Sequence, residues 1–290
     1  MLVGATDGPR PCPNPADSDG ARECITLSYV RASGPIEGYT LAMPATAGSL
    51  AIASATFRDL VRRPGLLLAA IAMAALLALL PDICMRAVDD SAALTLQVGL
   101  SSITAFLMLA AGFAGLRAGA AEGDLGATPE WLTAPVGPFA YVTGRFAGIC
   151  ALCAALLVVM GLVLLPAQRA APPDALPAAF GFAGALVTAA QFAALGTMLA
   201  ALLAPQLAAV VLVAAIVASR TVVPQLDAAG GVPALLAAAL PDPVRVDLSR
   251  EIAFHRPVDA ASASFALLGA ALQAAALLVV AAWCIRRRET

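Results

Sequence analysis

The chain has 290 residues, 61% of them hydrophobic and only 12% charged, with a formal net charge of −2. Soluble domains hold roughly 25% charged residues, so this composition and a mean hydropathy of +0.88 place the chain in a membrane. All 17 basic residues are arginine; with no lysine the chain cannot build a P-loop or a Schiff base, and no basic run suits nucleic acid.

The single histidine, His255, excludes a multi-histidine zinc site. The cysteines (Cys12, Cys24, Cys84, Cys150, Cys153 and Cys284) are scattered and imply no disulfide framework. Cys150 and Cys153 fall one turn apart in an apolar run and read as small apolar filler. No metal site and no cofactor in this chain are expected.

Residues 1–45 contain PRPCPNPADSDGARE, rich in proline and acid and without periodicity. They are expected to form a disordered cytoplasmic tail, with a native start at Met43 as the alternative. The membrane domain is expected over 46–290. Between Ser49 and Arg63, Leu50, Ile52, Ala53, Phe57, Leu60 and Val61 share one side, while Arg58, Asp59, Arg62 and Arg63 gather on the other. That pattern predicts an amphipathic interfacial helix ending in a basic cluster, and Pro64 then opens the first span.

Span one is expected over roughly 65–85 and span two over roughly 93–116, with span three running to about Leu165. The uncharged run Ala175 to Ser219 would reach roughly 67 Å as one helix at about 1.5 Å per residue, over twice the roughly 30 Å hydrocarbon core. It must fold back, and Ala204-Pro205 is the corner that gives spans four and five. Val232 to Leu240 is too short to cross and is expected to be re-entrant or interfacial. Span six, roughly Ser264 to Cys284, ends in Arg286, Arg287 and Arg288. The two arginine clusters predict that both termini are cytoplasmic.

With Asp82, Arg86, Asp89 and Asp90 assigned to the connection after span one, no ionisable residue is expected inside a span, which disfavours an ion-coupled carrier. Gln97, Ser101, Ser102, Thr104, Thr188, Gln191, Thr197 and Gln273 are the polar span residues and are expected to hold helices together. Gly112, Gly115 and Gly119, then Gly144 and Gly148, offer faces for close packing.

Between spans two and three lies EGDLGATPEWLTAPVGPFAYVTGRFAG, Glu122 to Gly148. Charge is costly in hydrocarbon, so this stretch belongs at a membrane surface. Thr128 suits a helix cap, Pro129 the first helical position, and Glu130 the positive end of the helix dipole. Pro135 stops that short helix and Pro138 can open the next.

Glu122, Gly126, Trp131-Leu132, Pro135-Val136, Gly144-Arg145 and Gly148 together resemble the signature of the type-2 class of ABC-transporter permeases. Members carry Glu, three residues, Gly-Thr-Leu, a short apolar stretch, Pro-Val, and then Gly-Lys and a further Gly. This chain departs in Ala127 for Thr, Thr128 for Leu and Arg145 for Lys. The resemblance implies an all-α polytopic fold of six transmembrane helices, with an elbow helix carrying Phe57, Arg58, Arg62 and Arg63. It also implies a cytoplasmic coupling helix between spans two and three, with Glu122, Gly126, Trp131, Leu132, Pro135, Val136, Gly144 and Arg145 as the ATPase-coupling residues.

The same resemblance implies an export subunit of a cell (plasma or inner) membrane that is not itself an enzyme. Its partners would be two copies of an ABC ATPase, which carry the ATP and Mg, a second permease copy (a homodimer or a related heterodimer), and membrane lipid. The alternative is a non-transporting membrane scaffold or assembly factor that recruits a soluble partner through the same loop. The transported substrate is not legible.

Overall fold

Proline lacks the N–H that a helix interior uses but fits the first turn, so prolines set where apolar runs become helices. Pro64, Pro138 and Pro205 each open one. The computed structural model describes residues 45–84, 91–120, 138–166, 175–229, 231, 240–254 and 256–288. The chain divides into two units, Met1–Ala42 and Met43–Thr290, and the described residues all lie in the second. Every regular element among them is an α-helix. In chain order they are α1 (Ala45–Val61), α2 (Pro64–Cys84), α3 (Ser91–Ala120), α4 (Pro138–Val163), α5 (Ala175–Leu202), α6 (Pro205–Thr221), α7 (Val223–Ala229), α8 (Ser249–Ala253) and α9 (Ala260–Arg288).

Five of these, α2, α3, α4, α5 and α9, are long and apolar enough to cross a membrane, and the chain is a multi-pass membrane protein. The expected corner at Ala204-Pro205 separates α5 from α6. At 17 residues α6 is shorter than the others; about 1.5 Å per residue gives it roughly 25 Å, short of the roughly 30 Å core. Its hydrogen-bond ladder continues past its end, however. The Val222 N–H donates to Ala218 at 2.8 Å, and the Leu226 N–H donates to the Val222 carbonyl at 3.0 Å. These bonds carry the chain through the single turn residue Val222 into α7.

The centre of the fold is α5. Its residues enter three separate core clusters: Ala185, Ala189 and Ala193 with α3 and α4, Phe192 and Leu199 with α3 and α6, and Ala194 and Ala201 with α4 and α9. Small residues on every side permit this, because they let several helices approach one axis. The closest partner is α3. A Cβ on Gly115 would overlap the Ala193 carbonyl, and one on Gly196 would overlap the Gly112 carbonyl. The two helices run parallel there, with α4 returning the chain between them. Lipid tails offer no hydrophobic force to press helices together, so close van der Waals contact must do it.

The described part of the connection before α9, residues 240–254, packs back onto α3 and α5. Ile252 and Val246 are buried over Gly181 and Gly184, and the Ser249 and Ser101 hydroxyls lie 2.8 Å apart. Asp259 then begins α9 as its cap, accepting from the backbone N–H groups of Ala261 at 3.2 Å and Ser262 at 3.1 Å. Of the expected re-entrant segment, residues 232–239 lie outside the described residues.

Candidate functional site

A helix leaves its last four carbonyls without a donor of its own. α3 ends at Ala120, and the Ala118 carbonyl is one of these. Arg145, early in α4, donates Nη1 to it. The same guanidinium lies over the Tyr141 ring, 4.4 Å from its centroid, and Tyr141 itself is buried. One turn of α4 brings Tyr141 and Arg145 together, as the four-residue spacing requires. A cation at a helix C-terminus also opposes the negative end of the dipole. The helices that lead into and out of the Glu122 to Pro135 stretch are therefore tied to each other where that stretch begins and ends. Glu122, Gly126, Trp131, Leu132, Pro135 and Val136 themselves lie outside the described residues.

Gly144 stands beside Arg145 but faces a different neighbour. A Cβ there would come within 2.8 Å of the Ser49 carbonyl, and one on Gly148 within 2.6 Å of the Ala53 carbonyl. The two glycines form a bed for α1, which crosses α4 backbone against backbone. Ile52 of α1 packs beside the cluster of Tyr141 and Ile285, while Phe57 and Leu60 join the cluster of Ile149 and Leu77. Of the residues expected in the elbow helix, Phe57 is half-buried against this core, and Arg58 and Arg62 are exposed. Arg63 donates to Asp59 at 2.7 Å, with side chains 34% and 62% exposed. At that exposure the pair contributes at most about 1 kcal/mol.

Among the polar span residues, Gln191 on α5 donates to Gln273 on α9 at 2.6 Å and Ser101 reaches Ser249, so these three join separate elements. Thr104 and Thr197 instead bond carbonyls of their own helices. One expectation is corrected: ionisable residues do fall within the long apolar helices. Asp82 lies in the last turn of α2, Arg117 in the last turn of α3 and Arg145 early in α4, all near helix ends where a charged group can reach the membrane surface. Arg220 lies in the last turn of the shorter α6. Its Nη2 is 3.9 Å from the Met108 sulfur, and Met108 is fully buried well inside α3. A long side chain accounts for this: its stem covers apolar surface while its charged end reaches a neighbouring helix.

Sequence reasoning did not anticipate Tyr141, Ala118 or Ser249. Tyr141 was accessible through its four-residue spacing from Arg145. The Ala118 contact was not, because a backbone acceptor has no residue-type signature. Among the described residues no group of His, Cys, Asp or Glu could hold a metal ion. No family model and no curated protein matches the sequence.

Proposed function

We propose that this chain is the membrane-spanning subunit of an ABC-type exporter, driven by two copies of a separate ATPase that bind ATP and Mg. α1 is its elbow helix, and the Glu122 to Pro138 stretch is the part that meets the ATPase. α6 with α7 supplies a sixth crossing beside the five longer helices, and both termini are cytoplasmic in the cell membrane. A second permease copy completes the assembly. The observation that supports this reading is the tie from Arg145 to the Ala118 carbonyl. A push on the stretch between α3 and α4 can move two spans as one only if their ends are coupled. The glycine bed under α1 extends that coupling to the start of the chain's membrane unit.

The test co-expresses the full chain with a separate P-loop ATPase of the kind this reading requires. Alone, the chain is expected to hydrolyse no ATP. Trp131→Ala is expected to cost about 2–4 kcal/mol of docking, the scale of a buried aromatic anchor, and to abolish stimulation of the ATPase while leaving membrane insertion intact. Arg145→Gln is expected to preserve docking but weaken stimulation, since it cuts only the link between the two spans. Normal binding and stimulation by the Trp131 variant would leave the stretch an ordinary connection and favour the scaffold role.

A further inference from the structure

α2 and α3 do not close on each other along their whole length. Between them runs a groove of about 820 Å³, within the roughly 300–1,000 Å³ typical of small-molecule sites. One wall is a single stripe of α2, with Gly65, Ala69, Ala72 and Leu76 at helical spacing. The other is a stripe of α3 with Phe106, Leu109, Phe113 and Arg117. Small residues on one helix oppose large ones on the other, yet the space between stays open. A Cβ on Gly65 would meet nothing within 4 Å. Arg63 and Arg117 stand together at one end, and every other lining residue is apolar or small.

Three observations identify the occupant. From Arg117 to Phe106, or from Gly65 to Leu76, the stripes descend about 16 Å at about 1.5 Å per residue, half of the roughly 30 Å core and so the depth of one leaflet. The charged end carries two guanidinium groups against one described carboxylate, Asp59. Asp59 takes only Nη2 of Arg63, whose Nε is buried with no acceptor among the described residues. A second copy of this chain is a poor fit. A two-fold contact on this face, with its axis along the membrane normal, would set the Arg63 and Arg117 ends of both copies at one depth, four like charges close together.

We infer that the groove binds one anionic phospholipid, with its phosphate on Arg63 and Arg117 and an acyl chain in the slot between α2 and α3. The phosphate oxygens accept from the exposed donors of Arg63 and Arg117, and guanidinium is suited to phosphate by its planar array of donors. The apolar walls receive the chain, and the small residues of α2 set the width of the slot. The site holds the junction of α1 and α2 to α3 through a lipid rather than through side chains. It rests on membrane placement alone and not on coupling to an ATPase.

Native mass spectrometry of the full chain, in detergent micelles with added phosphatidylglycerol or phosphatidylcholine, tests this. The unmodified chain is expected to retain phosphatidylglycerol over phosphatidylcholine by at least about tenfold, the scale of one charge-assisted hydrogen bond. Arg63→Gln with Arg117→Gln is expected to lose that preference. Arg286→Gln with Arg287→Gln, which removes equal charge at another cluster, is expected to keep it. Ala72→Phe fills the slot from an exposed position, so folding is expected to survive while retention of both lipids falls. Equal loss in the Arg286 and Arg287 variant would overturn the site in favour of diffuse attraction. So would equal retention of the two lipids, unchanged retention in Ala72→Phe, or conversion of a dimer to a monomer by that variant.

Discussion

α2 and α5 are both apolar helices long enough to cross a membrane, yet they are built for different neighbours. α2 has the higher mean hydropathy, and 6% of its apolar window is buried inside the protein; for α5 the share is 72%. In a water-soluble protein the more apolar helix would be the more buried one. Here Leu68 and Ile71 of α2 stand exposed while Ala189, Ala193 and Gly196 of α5 lie at the centre. Lipid is as apolar as leucine, so large aliphatic side chains gain little from burial in protein, and helix contacts go instead to residues that permit close approach. The difference separates a helix held by the bilayer from a helix held by its neighbours.

The sharpest way to break that distinction is a single Cβ. Gly115→Leu forces a side chain into the Ala193 carbonyl, and since overpacking costs about 1–3 kcal/mol even where neighbours can yield, recovery of monodisperse protein is expected to be lost. Gly65→Ala adds its Cβ to open space in α2 and is expected to leave recovery and Tm unchanged. Similar damage from both changes would end the comparison. Phe192→Ala comes next. Phe192 is fully buried, and its truncation is expected to cost about 3–5 kcal/mol, read as a lowered midpoint in a detergent unfolding titration. Leu68→Ala on α2 is expected to stay within about 0.5 kcal/mol, as surface changes do.

A smaller effect is expected at Gln191→Leu. It removes the 2.6 Å bond to Gln273, and such interhelical bonds in membranes average about 0.6 kcal/mol with a ceiling near 1.7. Gln191 also has a buried Oε1 with no partner among the described residues, so the substitution relieves one cost as it removes one contact. A loss well above that range would mean the pair does more than join α5 to α9.

The smallest effect concerns pH and the start of α9. Backbone N–H groups of Ser262 and Ala261, and the Ser262 hydroxyl, hold the Asp259 carboxyl below its usual range. A carboxylate whose folded pKa is depressed contributes stability above its unfolded pKa, and that contribution fades as pH falls through the folded value. The protection factors of the Ala261 and Ser262 amides, taken relative to the intrinsic exchange rate at each pH, are therefore expected to fall on acidification. Asp259→Asn keeps a capping side chain without the charge, so it is expected to flatten that pH dependence. An unchanged profile in the variant would show that Asp259 is not its source.

Much of the helix layout was legible because a bilayer demands long apolar runs and because Pro64, Pro138 and Pro205 punctuate them. The limit appeared at α6, where an uncharged run predicts a span but not its length. At 17 residues it stops short of a full crossing, with Arg220 drawn toward Met108. The glycines were legible as close-packing residues but not by partner: Gly112 and Gly115 meet α5 and α6, whereas Gly144 and Gly148 meet α1. Spacing along one helix says nothing of which helix lies opposite. For the same reason Arg145 read as part of a signature, while its contact with the Ala118 carbonyl needed coordinates.

The backbone contact between α3 and α5 also has a consequence for synthesis. The two helices are parallel and separated by the whole of α4, so the surface that Gly112, Gly115 and Gly119 present is complete long before its partner exists. α5 follows roughly 80 residues later, about 4–16 s at about 5–20 residues per second. During that interval the tightest joint of the finished protein is an unfilled notch facing lipid or the insertion machinery. The nascent chain thus passes through a stage in which α2 already occupies its final solvent and α3 does not.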